Sequence, residues 1–317
     1  MKKNDILQNI WVAALLAFFC CALWGSAFSA VKTGYALLGI ADNAWADQLT
    51  FGGLRFAVAG VMTLAAGSIL QKKLLLPQRG SVRKIGIISF YQTIAQYFCY
   101  YIGLAHTSGV KASVLVGANV FFAILISGAV FHLEQITARK LAGSAIGFAG
   151  IILINLSGLL NGLRFNFIGD GMILLCTVAS GFSSASMKKL SAGEDPVMLS
   201  GWQFFFGGAV LTVIGLLGGG RFPRFTALSF LLMLYLSFVS AAAYSVWAIL
   251  LKHNPVSRIA VFGFLNPVCG VMISALVLHE GAQINLSFVL ALLLVCIGII
   301  TVNYAPKQPK DGSGEIC

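Results

Sequence analysis

The sequence predicts an all-α integral membrane protein whose ten transmembrane helices form two inverted five-helix repeats. Three observations lead to this fold class: the composition, a series of long apolar runs and an internal duplication. The 317 residues are 58% apolar and only 10% charged, whereas soluble proteins keep roughly a quarter of their residues charged. Because such a chain cannot cover a water-exposed surface with charge, we expect a lipid bilayer to surround it.

The apolar runs are separated by short polar segments, none of them long enough for a soluble domain. Each run reaches about 20 residues, which is enough to cross a ~30 Å hydrocarbon core as a helix. We interpret the first run as a retained span, because no small-residue cleavage site follows it. The predicted spans are 11–37, 46–70, 85–105, 108–130, 138–156, 169–189, 197–217, 226–251, 257–278 and 286–304.

The basic residues predict the orientation of the chain. With the N-terminus placed in the cytoplasm, fifteen Lys and Arg residues fall on the cytoplasmic side and four on the other. This positive-inside bias predicts a multi-pass protein of the plasma (inner) membrane with both termini cytoplasmic. The net charge of +11 is then a topology signal, with some attraction to anionic lipid. It does not indicate nucleic acid as a partner.

The chain repeats itself after 147 residues. Residues 106–127 read HTSGVKASVLVGANVFFAILIS and residues 253–274 read HNPVSRIAVFGFLNPVCGVMIS, with Asn119 opposite Asn266. Earlier in the chain the spacing is 148 residues. There Asp47, Arg55, Phe56 and Gly60 stand opposite Asp195, Gln203, Phe204 and Gly208.

The duplication predicts the internal organisation of the protein, with one repeat at 11–156 and a second at 169–304. Since each repeat holds five spans, an odd number, the second repeat enters the membrane upside down. Inverted repeats of this kind build transporters, in which the solute binds near the midplane between the two halves.

Short motifs in four parts of the chain share the order and spacing of a known family. They are Trp24-Gly25-Ser26-Ala27-Phe28 followed by Lys32, then Leu54-Arg55-Phe56, then Gly109-Val110-Lys111-Ala112-Ser113, and finally Asn266-Pro267-Val268 followed by Leu278-His279-Glu280.

Across residues 11–304 these motifs resemble the drug/metabolite transporter superfamily, specifically its EamA-type permeases and exporters. The resemblance implies transport of small organic solutes, often amino acids or related metabolites, out of the cell. The family often has Glu-Pro where this chain has Asn266-Pro267. Because a midplane carboxylate is absent, the sequence does not support proton coupling.

The two repeated asparagines are candidate substrate-binding residues. Asn119 and Asn266 lie eight residues beyond Lys111 and Arg258, which is roughly 12 Å deeper along a helix and close to the midplane. Asparagines in membrane helices also serve as hydrogen-bonded contacts between helices, and that alternative stays open. Pro267 is expected to interrupt its helix, so that only the second half carries a break.

Other polar and aromatic residues in the middle of predicted spans are expected to line the same cavity. Large aromatic rings with a few amides and hydroxyls suit a small amphipathic solute, although membrane aromatics also form interfacial belts. These candidates are Trp24, Ser26, Gln92, Gln96, Tyr97, Tyr100, Tyr244 and Trp247, with Pro267 beside Asn266.

Cations near the span ends are candidate residues of the pathway mouths. Lys32, Lys111 and Arg258 could attract anionic groups, or they could extend towards the nearest interface to reach water. Arg55 lies deeper, one or two turns inside its span. A charge at that depth is a functional candidate, but a structural partner such as a carbonyl explains it equally well.

Carboxylates and histidines all fall at span ends or in loops, so we expect no catalytic centre, no metal and no cofactor. His132 with Glu134 and His279 with Glu280 would lie on opposite faces of the membrane and could not share an ion. The glycines of span 5, Gly143, Gly147 and Gly150, predict either close helix packing or the seam of a homodimer.

Two other functions remain open from the sequence. A related branch carries phosphorylated sugars or nucleotide sugars, and phosphate would require two cations converging on one site. Lys32 and Lys111 lie on the same predicted side and could converge. A non-transporting scaffold or signalling protein would instead need no water-filled cavity at the midplane.

Overall fold

The computed structural model describes residues 3–41, 43–107, 109–156, 165–277 and 286–304. Within these ranges the regular structure is helical and contains no strand. We number the helical segments in chain order as α1 (Lys3–Gln8 and Ile10–Leu38), α2 (Trp45–Gln71), α3 (Ser81–Ile88, the π-helical Ser89–Ala95 and Gln96–His106), α4 (Gly109–Gly117, Asn119–Leu125 and the π-helical Ile126–Val130), α5 (Ala138–Ile154), α6 (Gly169–Leu190), α7 (Pro196–Leu217), α8 (Ala227–His253), α9 (Val256–Ala260, the 3₁₀-helical Val261–Phe264 and Leu265–Val277) and α10 (Leu286–Asn303).

Several helices begin and end where the sequence provides a capping residue. The Asp195 carboxylate accepts the backbone N–H of Val197 at 2.8 Å, with Pro196 in the first turn of α7. Thr226 and Ser229 form a reciprocal capping box at the start of α8. Such caps satisfy backbone donors that a helix leaves unpaired. At the end of α1, Gly39 adopts a left-handed conformation with φ of 64°, which glycine allows without strain.

Five of the described helices are long and apolar enough to cross a membrane. They are α2, α7, α8, α10 and the Ile10–Ala27 part of α1. Among the others, α3, α4 and α9 are interrupted, and α5 has 17 residues. The helical segments agree with the predicted spans, although α3 begins already at Ser81. The ten-span arrangement remains a prediction.

Many large apolar side chains cover the outside of the bundle, while several polar side chains are buried inside it among the apolar core. Trp11 is 80% exposed and Leu217 is 83% exposed. In contrast, Arg55, Gln92 and Gln203 are buried in the interior of the bundle. An apolar exterior together with buried polar side chains fits a bundle surrounded by lipid.

The two most extensive helix contacts pair α2 with α7 and α5 with α10. In the first pair, a Cβ added at Gly53 would lie 2.7 Å from the Gly208 carbonyl, and one added at Gly60 would lie 2.6 Å from the Gly201 carbonyl. Small residues allow membrane helices to approach this closely. Because Gly53 and Gly201 are 148 residues apart, as are Gly60 and Gly208, the two contacts are reciprocal.

The same reciprocity holds between α5 and α10. A Cβ at Gly143 would lie 3.0 Å from the Gly298 carbonyl, and one at Gly150 would lie 2.8 Å from the Ala291 carbonyl. Positions 143 and 291 are again 148 residues apart, as are 150 and 298. Reciprocal contacts of this kind characterise an interface between two related surfaces.

This packing decides between the two predictions for the span 5 glycines. Gly143 and Gly150 contact α10, and a Cβ at Gly147 would clash with the Phe264 ring. The glycine face is therefore buried within one chain, so its interpretation as a homodimer seam was wrong. The homodimer itself stays a prediction that would need another surface.

Breaks occur in both halves, which corrects the expectation of a single break at Pro267. In α4 the helix is interrupted at Ala118, whose N–H bonds the Leu115 carbonyl three residues back at 3.0 Å. In α9 the interruption is the 3₁₀ segment Val261–Phe264, which separates two α-helical segments. Pro267 is the third residue of the helix that follows, where its missing N–H breaks no intrahelical bond. The break therefore does not depend on proline.

The π-helical segment of α3 explains why the repeat spacing changes along the chain. Ser89 and Ser237, 148 residues apart, donate to the backbone carbonyls of Gln203 and Arg55 at 3.2 and 2.9 Å. From Tyr97 to Ser127, directly after Ser89–Ala95, the spacing of matched residues is 147. One extra residue in α3 is thus accommodated as a π-bulge, a feature that is frequent at functional sites.

Candidate functional site

A central cavity of about 630 Å³ lies among α1, α2, α3, α4, α5, α6, α8 and α9. Its size falls in the range of small-molecule sites. All but one of the predicted substrate-binding residues line it. These are Trp24, Gln92, Gln96, Tyr97, Tyr100, Asn119, Tyr244, Trp247, Asn266 and Pro267.

Aromatic side chains from both halves form one wall of the cavity. The hydroxyls of Tyr97 in α3 and Tyr244 in α8 lie 2.7 Å apart and share a hydrogen bond. Trp24 packs edge-on against Tyr244 and Trp247, with ring centroids 5.0 Å apart in each case. These rings lie in the interior rather than in an interfacial belt, as the depth of Tyr97 and Tyr244 in their spans predicted.

A second layer of rings supports this wall. Phe56 of α2 and Phe204 of α7 stack with centroids 5.4 Å apart and planes 4° from parallel. Phe56 also contacts Tyr97 at 4.3 Å, and Phe204 contacts Tyr244 at 5.0 Å. Residues at matched positions of the two halves therefore meet each other here, and each supports one of the two tyrosines.

Polar atoms in the cavity wall are only partly satisfied. Gln92, which lies in the π-helical segment, accepts a hydrogen bond from Ser183 at 3.2 Å. Trp24 Nε1 and Asn266 Oδ1 are buried and have no protein partner among the described residues. Buried polar groups without partners are costly, so these two atoms are available for a ligand.

Ser26 does not belong to the cavity, which corrects its prediction as a binding residue. Its hydroxyl lies between the Leu23 carbonyl and the Tyr235 hydroxyl, at 2.7 Å from each. Tyr235 is itself exposed on the outside of α8. Ser26 follows Trp24 by two residues, and side chains two residues apart on a helix point to different faces. The closeness of Ser26 to Trp24 in sequence therefore did not predict its direction.

The predicted mouth cations have different outcomes. Arg258 lies away from the cavity lining, and its Nη1 donates to the Gln8 carbonyl at 3.2 Å and to Asn254 Oδ1 at 3.4 Å. It joins the start of α9 to the start of α1 at one end of the bundle, and its role at a pathway mouth stays a prediction. The side chains of Lys32 and Lys111 lie outside the part of the chain that the structure describes.

Arg55, which the sequence left undecided, lines the cavity. Its Nη1 donates to Ser240 Oγ at 3.2 Å, and its guanidinium lies 4.2 Å above the centre of the Phe56 ring. Tyr35 and Tyr101 also line the cavity but were missed. The depth of Arg55 in its span was a usable signal, whereas nothing in the sequence separated Tyr101 from its neighbour Tyr100.

One end of the bundle, here called the basic face, carries the loops 72–80, 131–137 and 191–195 and the start of α1. Two acidic residues hold it together. Glu194 accepts Lys84 Nζ at 2.7 Å and Ser81 Oγ at 2.9 Å. The Lys84 ammonium lowers the pKa of the Glu194 carboxyl. Lys252 Nζ adds a bond to the Glu194 carbonyl at 2.7 Å.

Glu134 is the second acidic residue of the basic face. Its carboxylate accepts Lys140 Nζ at 2.6 Å, Ser127 Oγ at 2.7 Å and the backbone N–H of Ser257 at 2.8 Å, and it also bonds the Ser257 hydroxyl. Burial would raise the pKa of Glu134, but these hydrogen bonds outweigh burial and hold the pKa below its ordinary value of 4.5. The loop 131–137 is thereby tied to the start of α9.

The described residues contain no cluster of three or more His, Cys, Asp or Glu side chains that could hold a metal ion. The carboxylate of Glu134, which stood near His132 in the sequence, is fully used by the hydrogen bonds of the basic face.

A bundle with an aromatic cavity that holds a few polar groups, and with an apolar exterior, is typical of membrane transport proteins. The sequence model of the EamA-like transporter family matches residues 11–156 and 167–304. The chain belongs to this family, and it is a membrane transporter.

Several proteins of known sequence are similar over most of their length. An uncharacterised transporter, YvbV of Bacillus subtilis (strain 168), is 26% identical over 94% of this chain and 93% of its own. The uncharacterised inner membrane transporter YedA of Escherichia coli (strain K12) is 27% identical over 82% and 80%. A probable amino-acid metabolite efflux pump of the same strain is 26% identical over 84% and 87%.

The fold also occurs among solved structures. A crystal structure at 19% sequence identity superposes with a TM-score of 0.75, covering 92% of this chain and 97% of the other. At this level of identity the likeness extends to the fold alone.

Proposed function

We propose that the protein exports small, amino-acid-like organic solutes across the inner membrane by alternating access, with the solute bound in the central cavity. The two halves would move relative to each other about this site and open it to one side at a time. The observation that carries the proposal is the hydrogen bond between Tyr97 and Tyr244, which are 147 residues apart and meet at the cavity at 2.7 Å.

The reciprocal contacts support two inverted halves related by a pseudo-two-fold axis. On such an axis, matched residues meet each other, as Phe56 meets Phe204. Away from the axis, each contact occurs twice, with the roles of the two halves exchanged. The contacts Gly53–Gly208 and Gly60–Gly201 are such a pair. Related halves that pack in this way can exchange conformations, which alternating access requires.

The conformation of the basic face supports a state closed at that end. Met187, Leu251 and Ala260 line the cavity towards the basic face and are buried. Below them, Glu134 ties the loop 131–137 to Ser257. The positive-inside rule assigns this face to the cytoplasm, so a solute would have to wait for this contact to open before entering from inside.

The proposed solute class rests on the cavity wall and on a relative. Indole, phenol and amide groups offer both apolar surface and hydrogen bonds to a small amphipathic molecule. A relative that covers most of this chain is named a probable amino-acid metabolite efflux pump. The inner membrane location is likewise taken from the name of a relative, YedA.

A flux assay tests the transport proposal directly. Proteoliposomes that contain the purified protein would be loaded with radiolabelled amino acids, their metabolites, a cationic dye or a sugar phosphate, each in a separate preparation. We expect an amino-acid-like solute to leave these proteoliposomes faster than it leaves protein-free liposomes. Movement of the sugar phosphate alone would favour the phosphorylated-sugar carrier, and no movement of any solute would contradict the proposal.

Accessibility of the cavity tests alternating access and the scaffold alternative. In a cysteine-free background, Asn119→Cys and Asn266→Cys would be labelled with a membrane-impermeant maleimide from each side separately. We expect labelling from the face opposite the basic face, and labelling from the basic face after that face opens. Protection of both positions from both sides under all conditions would support a non-transporting scaffold.

A further inference from the structure

Arg55 introduces a positive charge into a cavity that is otherwise neutral. Of the described residues that line the cavity, Arg55 alone is charged. It is only 6% exposed, and its Nε has no protein hydrogen-bond partner. A buried charge without a counter-ion is energetically costly, because it loses its hydration and gains no opposite charge in return.

The acidic side chains that the structure describes are all engaged elsewhere. They lie near the ends of the bundle, where Asp47 accepts Arg221 N, Glu134 accepts Lys140, Asp170 accepts Thr107, Glu194 accepts Lys84 and Asp195 accepts Gln71. Arg55 donates to Ser240 and lies over the Phe56 ring, and tyrosines such as Tyr101 line the same cavity. These groups stabilise a cation partly, but none neutralises it.

The second half shows that the contact made by Arg55 does not need a charge. At the position matched to Arg55, Gln203 accepts a hydrogen bond from Thr93 at 2.7 Å. Thr93 is in turn matched to Ser240, so the same two positions pair in both halves, although Arg55 donates its bond and Gln203 accepts its bond. Since a neutral amide satisfies this contact in one half, the guanidinium charge of Arg55 is an addition that the packing does not explain.

We propose that Arg55 binds the carboxylate of a transported solute whose remaining part is apolar or aromatic. A guanidinium has a planar fork of donors that matches a carboxylate, and its attraction is stronger inside a protein than in water. The aromatic wall formed by Trp24, Tyr244 and Trp247 borders the same cavity and suits an apolar body. This inference rests on the proposed transport function and narrows it to carboxylate-bearing solutes.

Matched pairs of probes test the inference, and the natural solute need not be identified for this test. Binding of 3-phenylpropionate, 3-phenylpropionamide, phenylalanine and phenylalaninamide to the purified full-length protein would be measured by ligand-dependent thermal shift. Each pair has the same body and differs in the carboxylate alone. We expect at least one carboxylate to bind about tenfold more tightly than its amide, the effect of a single charge-assisted contact.

Two variants of Arg55 and one control assign the preference to this residue. Arg55→Gln, which places the residue of the matched position, should abolish the preference, whereas Arg83→Gln, the same change on an exposed part of α3, should leave it intact. If Arg55→Gln does not fold, Arg55→Lys replaces it, because Lys lacks the fork. The Lys variant should then weaken carboxylate binding and leave amide binding unchanged.

The outcomes separate this inference from the transport proposal. Wild-type protein that binds no carboxylate more tightly than its amide, or a preference that survives Arg55→Gln, overturns the role of Arg55. Proteoliposomes that move only solutes without a carboxylate would overturn it as well, while transport stands. A preference that Arg55→Gln abolishes, in a protein that moves no solute, would uphold the binding role and contradict transport.

Discussion

Glu134 accepts the backbone N–H of Ser257 at 2.8 Å, so a loop of the first half caps the first turn of α9 in the second half. A carboxylate at a helix N-terminus is favourable because it satisfies a free donor and complements the helix dipole. Under the proposed alternating access, this cap joins two halves that would have to separate for the basic face to open. The proposal therefore predicts that the contact is present in the observed conformation and lost in the alternative one.

Replacement of Glu134 by Gln should destabilise the closed basic face. The amide keeps the shape but loses the ion pair with Lys140 and the charge of the bonds to Ser257. We expect a lower Tm and faster hydrogen exchange in 131–137 and 256–260, with no change for Gln135→Ala at the exposed neighbouring position. Equal exchange rates in wild type and Glu134→Gln would show that the contact does not hold the face closed.

The stability difference between these two proteins should depend on pH. Because hydrogen bonds hold the folded pKa of Glu134 below its ordinary value of 4.5, its contribution is complete above that value and is lost as pH falls through the folded pKa. The Tm difference between wild type and Glu134→Gln should be constant near neutral pH and shrink below about pH 4.5. A difference that grows on acidification would contradict the lowered pKa.

The glycine contact between α2 and α7 should be intolerant of even one methyl group. A Cβ at Gly53 would clash with the Thr212 nitrogen, so Gly53→Ala should cost about 1–3 kcal/mol through overpacking. Gly86 in α3 meets nothing within 4 Å, and Gly86→Ala should stabilise the helix by about 0.5–1 kcal/mol. Unfolding in mixed detergent measures both, and a neutral Gly53→Ala would mean that the two helices are less closely packed.

The hydroxyl pair of Tyr97 and Tyr244 can be tested by a double-mutant cycle. Each Phe substitution removes the same hydrogen bond, so the two effects should not add, and the coupling should be about 0.5–1.5 kcal/mol. Tyr235→Phe, which removes a hydroxyl on the outside of α8, should show no coupling with Tyr97→Phe. Additive effects at Tyr97 and Tyr244 would mean that the bond is not formed in the populated state.

Asn266 should show opposite effects on stability and on transport. Its Oδ1 is buried without a protein partner, and replacing such a group by an apolar one of similar size is nearly neutral or stabilising. We expect Asn266→Leu to keep or raise the Tm and to reduce flux at least severalfold. Asn303→Leu is the control, since Asn303 Oδ1 also lacks a described partner but lies away from the cavity. Unchanged flux in Asn266→Leu would exclude this amide from the solute site.

The cavity residues were predictable where two independent signals agreed. Asn119 and Asn266 were both repeated and placed near the midplane, and both line the cavity. Tyr97 and Tyr244 were repeated and too deep for an interfacial belt, and they meet there. Ser26 had only one signal, its closeness to Trp24 in sequence, and its hydroxyl points to Tyr235 instead.

The sequence by itself determined that a lipid bilayer surrounds the protein, where its helical segments lie and that the chain is duplicated. These features follow from the length of the apolar runs, the placement of charges and the repeat spacing, all of which can be read along the chain. Only the tertiary structure decided what each inward residue meets. The helix α4 is interrupted at Ala118 without a proline, a π-bulge in α3 accommodates one extra residue, and Arg55 lies in the wall of a cavity. These outcomes depend on contacts between residues far apart in the chain, and the contacts exist only once the helices have packed.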